Sequence, residues 1–90
     1  MAIKIEIPSP LREHTGGKTE VSVAGPTVQA AIDDLVRQFP SIGPKLLDGG
    51  QLRPYINLFV NDEDIRYLDD MQTAVADGQV VAVIPAVAGG

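Results

Sequence analysis

A single amphipathic helix pattern among short alternating segments is the feature that most constrains how this chain can fold. In VQAAIDDLVRQF, which begins at residue 28, the apolar side chains recur at the spacing of one helix face. These apolar residues are Val28, Ala31, Ile32, Leu35 and Phe39. Thr27 is suited to cap the first turn because its hydroxyl can accept a hydrogen bond from a free backbone amide, and Pro40 predicts the end of the helix. One helix of this kind must bury its apolar face against strands.

Two segments before the helix alternate apolar and polar residues, which is typical of strands with one buried face. The first is IKIEI at residues 3–7, and the second is TEVSV at residues 19–23. The prolines that follow the first segment and the Gly16-Gly17 pair predict a polar loop and a turn between the two. Because the segments are close in sequence, we expect them to form a hairpin.

The chain returns to strands after the helix. YINLFV at residues 55–60 and QVVAVIP at residues 79–85 predict two longer strands, and an Asp-Gly turn signal precedes the second. Between them, NDED at residues 61–64 predicts a turn, and IRYL at residues 65–68 predicts a short returning strand.

The order of these elements predicts the class α+β, a mixed sheet of four to five strands packed on one main helix. The segment between helix and third strand, residues 41–50, predicts a short turn of helix that ends at a glycine pair. Ninety residues, of which 44% are hydrophobic and 21% charged, are enough for one globular core. We expect residues 1–85 to form this domain and residues 86–90, AVAGG, to form a flexible tail.

Composition and charge argue against several classes of protein. Seven basic against twelve acidic side chains give a net charge of -5, which is the opposite of what a nucleic-acid binder needs and favours a partner with a basic surface. The chain has no cysteine, so it has no disulfide, no thiolate metal site and no sulfur nucleophile of its own. Its apolar runs are too short to span a membrane, and MAIKIEI does not resemble a signal peptide. A cytoplasmic protein that binds no membrane is expected.

Strand alternation predicts an apolar patch beside the tail. If the aliphatic residues of YINLFV face the helix, Phe59 must face away from it, because successive side chains point to opposite faces. In the last strand, the alternation that buries Val81 and Val83 leaves their neighbours on the outer face. Exposed apolar patches often mark interaction sites. The candidate partner-binding patch consists of Phe59, Ala82, Ile84 and Pro85.

Three other features suggest sites but lack the residues that such sites need. His14 is the only histidine and has no second ligand nearby in sequence, so it is interpreted as a surface loop residue. Gly16-Gly17 lacks the lysine and the helix of a phosphate loop. Residues 62–64, DED, lack the spacing of a calcium loop and are interpreted as a solvated turn. The sequence contains no pair of carboxylates and no nucleophile with a base that would predict an enzyme. No metal site is expected.

The sequence resembles the ubiquitin-like β-grasp sulfur carriers (ThiS/MoaD-like), a family that includes the small subunit of molybdopterin synthase and the sulfur carrier of thiamin biosynthesis. The element order, the VND turn, the DG before the last strand and the final Gly-Gly carry this resemblance. Three longer segments are similar to the CysO-type carriers of cysteine biosynthesis. They are LREHTGG at 11–17, YINLFVNDEDIRYL at 55–68 and ADGQVVAVIPAVAGG at 76–90.

The resemblance implies a chemistry for the tail. In such carriers an enzyme of the ubiquitin-activating type adenylates the terminal carboxylate with ATP and magnesium, and sulfur then displaces AMP. Gly90 would therefore carry the sulfur as a thiocarboxylate (1-thioglycine). Gly89, which has no Cβ, would let the backbone enter a narrow channel of that enzyme, and Pro85 would end the sheet. The remaining channel residues would be Ala86, Val87 and Ala88.

The resemblance also implies which proteins act on the chain. The carrier itself is expected to bind no cofactor and to supply no catalytic group. Its partners would be an adenylyltransferase/sulfurtransferase that uses ATP and magnesium, a pyridoxal-phosphate-dependent cysteine synthase that accepts the sulfur, and a metalloprotease that releases the new cysteine.

Two alternatives stay open at this point. The same chemistry could serve another acceptor, such as a molybdopterin precursor or tRNA. The chain could instead be a ubiquitin-like modifier joined to lysines through Gly90, or a β-grasp interaction module with an inert tail. The AVA that precedes the two glycines contains no arginine, unlike the tail of ubiquitin, which favours a sulfur carrier.

Overall fold

The strands predicted on both sides of the helix meet in one mixed sheet. The computed structural model describes residues 2–85. The strands in this part of the chain, numbered in chain order, are β1 (Ile3–Glu6), β2 (Glu20–Val23), β3 (Leu47–Asp48), β4 (Gln51–Leu52), β5 (Ile56–Val60), β6 (Glu63–Asp64) and β7 (Val80–Pro85). The α-helices are α1 (Val28–Gln38) and α2 (Gly43–Leu46). The 3₁₀ helices are Ser9–Thr15, Pro40–Ile42, Ile65–Tyr67 and Asp70–Gln72.

The main sheet of residues 2–85 has five strands in the order β2-β1-β7-β5-β6. β1 and β2 form the predicted antiparallel hairpin, with Ile5 opposite Val21. β7 runs parallel to β1, with Val81 opposite Ile5, and antiparallel to β5. The last strand of the fold therefore lies in the middle of the sheet and is held on both sides. This arrangement confirms the predicted β-grasp architecture.

Helix α1 forms where its pattern predicts it and covers one face of this sheet. The Thr27 hydroxyl accepts a hydrogen bond from the Ala30 amide at 3.2 Å, and Pro40 begins the next 3₁₀ turn. The residues of α1 that pack into the core are Val28, Ala31, Ile32 and Leu35. Ile5, Leu58 and Val81, which belong to three neighbouring strands, have no exposed surface. Burying side chains of this size supplies most of the driving force for folding.

The prediction of a returning strand at residues 65–68 is wrong. Asn61 and Asp62 have φ values of 52° and 68°, so the turn occupies these two residues and the chain returns earlier, as β6. The Asp64 carboxylate then accepts a hydrogen bond from the Arg66 amide at 2.9 Å. Because a side chain that bonds the backbone two residues ahead closes a turn, the chain leaves the sheet there and Ile65–Tyr67 is a 3₁₀ helix.

Two connecting segments are more ordered than the sequence predicts. Ser9–Thr15, expected as a polar loop, is a 3₁₀ helix with proline in its first turn, and it ends at Gly16 with φ 67°. The predicted turn of helix within residues 41–50 is confirmed as α2, but β3 and β4 follow it as a small antiparallel hairpin. Its turn consists of Gly49 and Gly50, with φ values of 61° and 83° that glycine adopts without strain.

Candidate functional site

The outer face of the sheet, on the side away from α1, carries the apolar patch near the end of β7. The aliphatic residues of β5 are no more than 5% exposed, which confirms that Phe59 faces outward. Across β5 and β7, Phe59 lies opposite Ala82 and Asn57 lies opposite Ile84. Directly opposite residues share a face of the sheet, so Phe59, Ala82 and Ile84 are neighbours on the outer side, as predicted.

Ile84 is the exposed member of this patch. It is 47% exposed, whereas Phe59 and Ala82 are half-buried. Phe59 has a strand on each side, with Ala82 opposite it on β7 and Asp64 opposite it on β6, and this flanking accounts for its lower exposure. Pro85, the last described residue, is half-buried opposite inward-facing Ile56, so it lies on the inner face of the sheet and not, as predicted, in the outer patch. Phe59 therefore contributes less exposed surface to the patch than the sequence suggests. The role of the patch in binding a partner stays a prediction.

A polar cluster lies beside Ile84 on the β5 side. The Arg66 guanidinium donates to the Asp64 carboxylate at 2.7 Å from Nη2 and 3.2 Å from Nε, and also to the side-chain oxygen of Asn57. Hydrogen bonds from the Arg66 side chain, and next from its backbone amide, hold the pKa of Asp64 below its ordinary value. The sequence interpretation of residues 62–64 as a solvated turn missed this cluster. An aspartate two residues before an arginine, just after a turn, is the signal that indicates it.

A groove of ≈ 350 Å³ lies beside Ile84 on the β1 side. Apolar side chains and two carboxylates line it together. Its lining residues are Glu6, Ile7, Pro8, Arg12, Thr19, Glu20, Ala82, Val83 and Ile84. Arg12 is held in place because its Nε donates to the Ile7 carbonyl oxygen at 2.9 Å. Sequence reasoning missed the groove because only the register of β1, β2 and β7 brings these distant segments together.

The other sequence candidates have structural explanations. His14 Nδ1 lies 3.2 Å from Ser41 Oγ, a contact that joins the first 3₁₀ helix to the segment before α2. Asp62 is an exposed turn residue. Among residues 2–85, no three His, Cys, Asp or Glu side chains are grouped so that they could hold a metal ion. No helix in the same part of the chain is long and apolar enough to cross a membrane.

The predicted tail chemistry falls on residues outside the described part of the chain. These residues are Ala86, Val87, Ala88, Gly89 and Gly90. What the structure gives is the base of the tail: Pro85 at the end of a central strand, with exposed Ile84, the polar cluster and the groove around it.

Comparison with known proteins identifies the family. The model of the ThiS family matches residues 5–90. The chain belongs to the ThiS family. This ThiS-family chain is 44% identical over 93 residues to the sulfur carrier protein CysO of Mycobacterium tuberculosis, and the match covers 100% of both chains.

Solved structures agree with this assignment. The ThiS-family chain is similar to a chain in the crystal structure of the BexX/CysO complex of Amycolatopsis orientalis, with a TM-score of 0.92, 40% identity and coverage of 99% of this chain and 100% of that one. It is also similar to the small archaeal modifier protein SAMP1 of Methanosarcina acetivorans, with a TM-score of 0.89, 25% identity and coverage of 99% and 96%. The relatives named as sulfur carriers agree with the prediction of a carrier rather than an enzyme.

Proposed function

We propose that this chain is a sulfur carrier protein that holds sulfur as a thiocarboxylate on Gly90. The observation that carries the proposal is its 44% identity, over the whole of both chains, to a protein named as the sulfur carrier CysO. The carboxylate of Gly90 attacks the α-phosphate of ATP, pyrophosphate leaves, and an acyl-adenylate forms. A sulfide equivalent from a sulfur donor then displaces AMP, so that one carboxylate oxygen is replaced by sulfur.

The fold supports this role because it gives the tail a firm base. β7 is paired with β1 through residues 80–82 and with β5 through residues 81–85, so β5 holds its end in the sheet. A partner that docks on Ile84 and its surroundings is positioned to receive residues 86–90 in the active site of the partner. Main-chain contacts with a bound peptide segment are a common mode of recognition, and the proposal assigns this mode to residues 86–90.

The partners are proposed from the same resemblance. An adenylyltransferase of the ubiquitin-activating type, with ATP and magnesium, would activate Gly90 and receive residues 86–89 in its channel. A pyridoxal-phosphate-dependent cysteine synthase would accept the sulfur, and a metalloprotease would release the cysteine, all in the cytoplasm. The complex of a 40% identical CysO chain with BexX supports the view that proteins of this kind act by docking to other proteins.

The test is intact-mass spectrometry after incubation with the adenylyltransferase of the same organism, ATP, magnesium and a sulfur source. We expect a mass increase equal to the difference between a sulfur and an oxygen atom, and none for a variant that lacks Gly90. Addition of O-phosphoserine or O-acetylserine with the cysteine synthase should then convert the thiocarboxylate to a cysteinyl adduct. An unchanged mass, under conditions in which a known carrier is thiocarboxylated by the same procedure, would overturn the proposal.

The second candidate function is protein modification, which the similarity to SAMP1, a protein named as a modifier, favours. A modifier would form an isopeptide bond between Gly90 and lysine side chains of other proteins. Expression of an N-terminally tagged chain in its own organism distinguishes the two functions. A ladder of tagged proteins that disappears on deletion of Gly90 would favour the modifier, whereas a single tagged species supports the carrier.

A further inference from the structure

Two carboxylates face each other in the groove beside Ile84. Glu6 of β1 lies directly opposite Glu20 of β2 in the antiparallel register, and both are exposed on the outer face. Like charges directly opposite each other destabilise a sheet. Lys4 compensates Glu20 in part, with its Nζ 3.7 Å from the carboxylate oxygen. Within residues 2–85, Glu6 takes part in none of the ion pairs.

The rest of the groove is suited to a cationic side chain with an apolar neighbour. Ile84, 47% exposed, forms one wall, together with Pro8 and Ala82. Arg12 is the one positively charged lining residue in this part of the structure, and its Nε is occupied by the Ile7 carbonyl oxygen. The lining residues therefore carry two negative charges against one positive charge, and Lys4, which is outside the lining, pairs with Glu20 and leaves Glu6 as the carboxylate without an ion pair within residues 2–85. A second copy of this chain is a poor occupant because each copy carries a net charge of -5.

We propose that this groove receives a basic side chain of a partner protein, which lies between Glu6 and Glu20 while an apolar residue of the partner packs on Ile84. Arginine is the best match, since its planar guanidinium has enough donors to bond two carboxylates at once. The inference rests on the proposed function in one respect, which is that the partner is the adenylyltransferase that acts on Gly90. Binding would remove the repulsion between the two carboxylates, so the same residues that weaken the free sheet would strengthen the complex.

The first test measures the affinity of the adenylyltransferase for Glu6→Gln and Glu20→Gln variants by calorimetry at low and high salt. The control is Glu63→Gln. Glu63 of β6 lies opposite inward-facing Val60 of β5, away from the groove. We expect each groove variant to bind about tenfold more weakly than the control at low salt, and to lose much of the salt dependence of binding. Both should unfold at the same temperature as wild type or at a higher one. Wild-type affinity in both variants would overturn the proposal.

The second test needs no partner. Amide chemical shifts of the full chain are followed by NMR during titration with N-acetyl-arginine amide, and with N-acetyl-citrulline amide, which has a similar shape without the side-chain charge. We expect arginine-specific shifts at β1, β2 and Ile84 that disappear in the Glu6→Gln/Glu20→Gln double variant. Shifts spread over the surface, or equal for both probes, would contradict the proposal. This result stands even if the wild-type chain is never thiocarboxylated, so failure of the groove and failure of the proposed function are distinguishable.

Discussion

At the scale of single residues, Asp64 takes part in three interactions of the candidate site. It lies opposite Phe59 on the neighbouring strand, accepts the Arg66 amide at 2.9 Å, and forms an ion pair with the Arg66 guanidinium. Its side chain is only 10% exposed, so these hydrogen bonds replace most of its contact with water. The turn into the 3₁₀ helix and the position of Arg66 beside Asn57 both depend on this carboxylate.

The pH dependence of stability should show the contribution of Asp64. Because its pKa in the folded state lies below the ordinary value of about 3.9, its stabilisation is fully present above that value and is lost as pH falls through the lower folded pKa. Asp64→Asn should therefore lower the urea midpoint at neutral pH, and the difference from wild type should shrink in acid. Asp62→Asn, at the exposed turn, is the control and should follow the wild-type curve. A difference that does not change down to the acid transition would contradict this assignment.

At the scale of elements, one face of β5 packs into the core and the other lies on the outer side of the sheet. Leu58 is fully buried against the core, whereas Phe59, the next residue, is half-buried on the outer face. The strand is held by β7 along its whole length and by β6 only at its end. We therefore expect Leu58 to contribute mainly to stability and its neighbour Phe59 mainly to binding.

Alanine substitutions at these two positions should separate the two contributions. Leu58→Ala should lower the free energy of unfolding by about 2–5 kcal/mol, because it leaves a cavity in the core. Phe59→Ala should cost less stability but weaken binding of the adenylyltransferase by about 1–3 kcal/mol if its ring is a contact. Urea unfolding and calorimetric titration measure the two effects. A larger loss of stability for Phe59→Ala than for Leu58→Ala would contradict the assignment of Leu58 to stability and of Phe59 to binding.

At the scale of the whole molecule, the described part of the chain contains one continuous hydrophobic core. The buried apolar side chains of β1, β2, β5, β7 and α1 form one hydrophobic cluster, which spans residues 3–83 within the described part of the chain. The tail is thus expected to contribute chemistry and not stability.

A chain that ends at Pro85 should test this division. We expect it to unfold within a few degrees of the full chain, since a change of about 1 kcal/mol moves the midpoint of a domain this size by only a few degrees. It should also remain unmodified in the mass-spectrometric assay. Thermal unfolding followed by circular dichroism gives the comparison. A large loss of thermal stability would show that residues 86–90 pack on the domain and would contradict the predicted boundary.

The sequence predicts what depends on local pattern and misses what depends on register. The helix, its Thr27 cap and the long strands follow from side-chain spacing and are confirmed. The prediction of a returning strand at residues 65–68 is wrong because a single hydrogen bond from the Arg66 amide to the Asp64 carboxylate competes with strand pairing. The groove could not be predicted from alternation alone, since Glu6 and Glu20 become neighbours only when β1 and β2 pair in one register.

The central position of β7 has a consequence for how the protein is made. Ribosomes synthesise β7 after every other strand of the sheet, yet β1 and β5 have no direct contact in the strand order without it. The sheet therefore stays divided until residues 80–85 have left the ribosome. An incompletely translated chain therefore lacks the joined sheet as well as residues 86–90, to which the proposed chemistry is assigned.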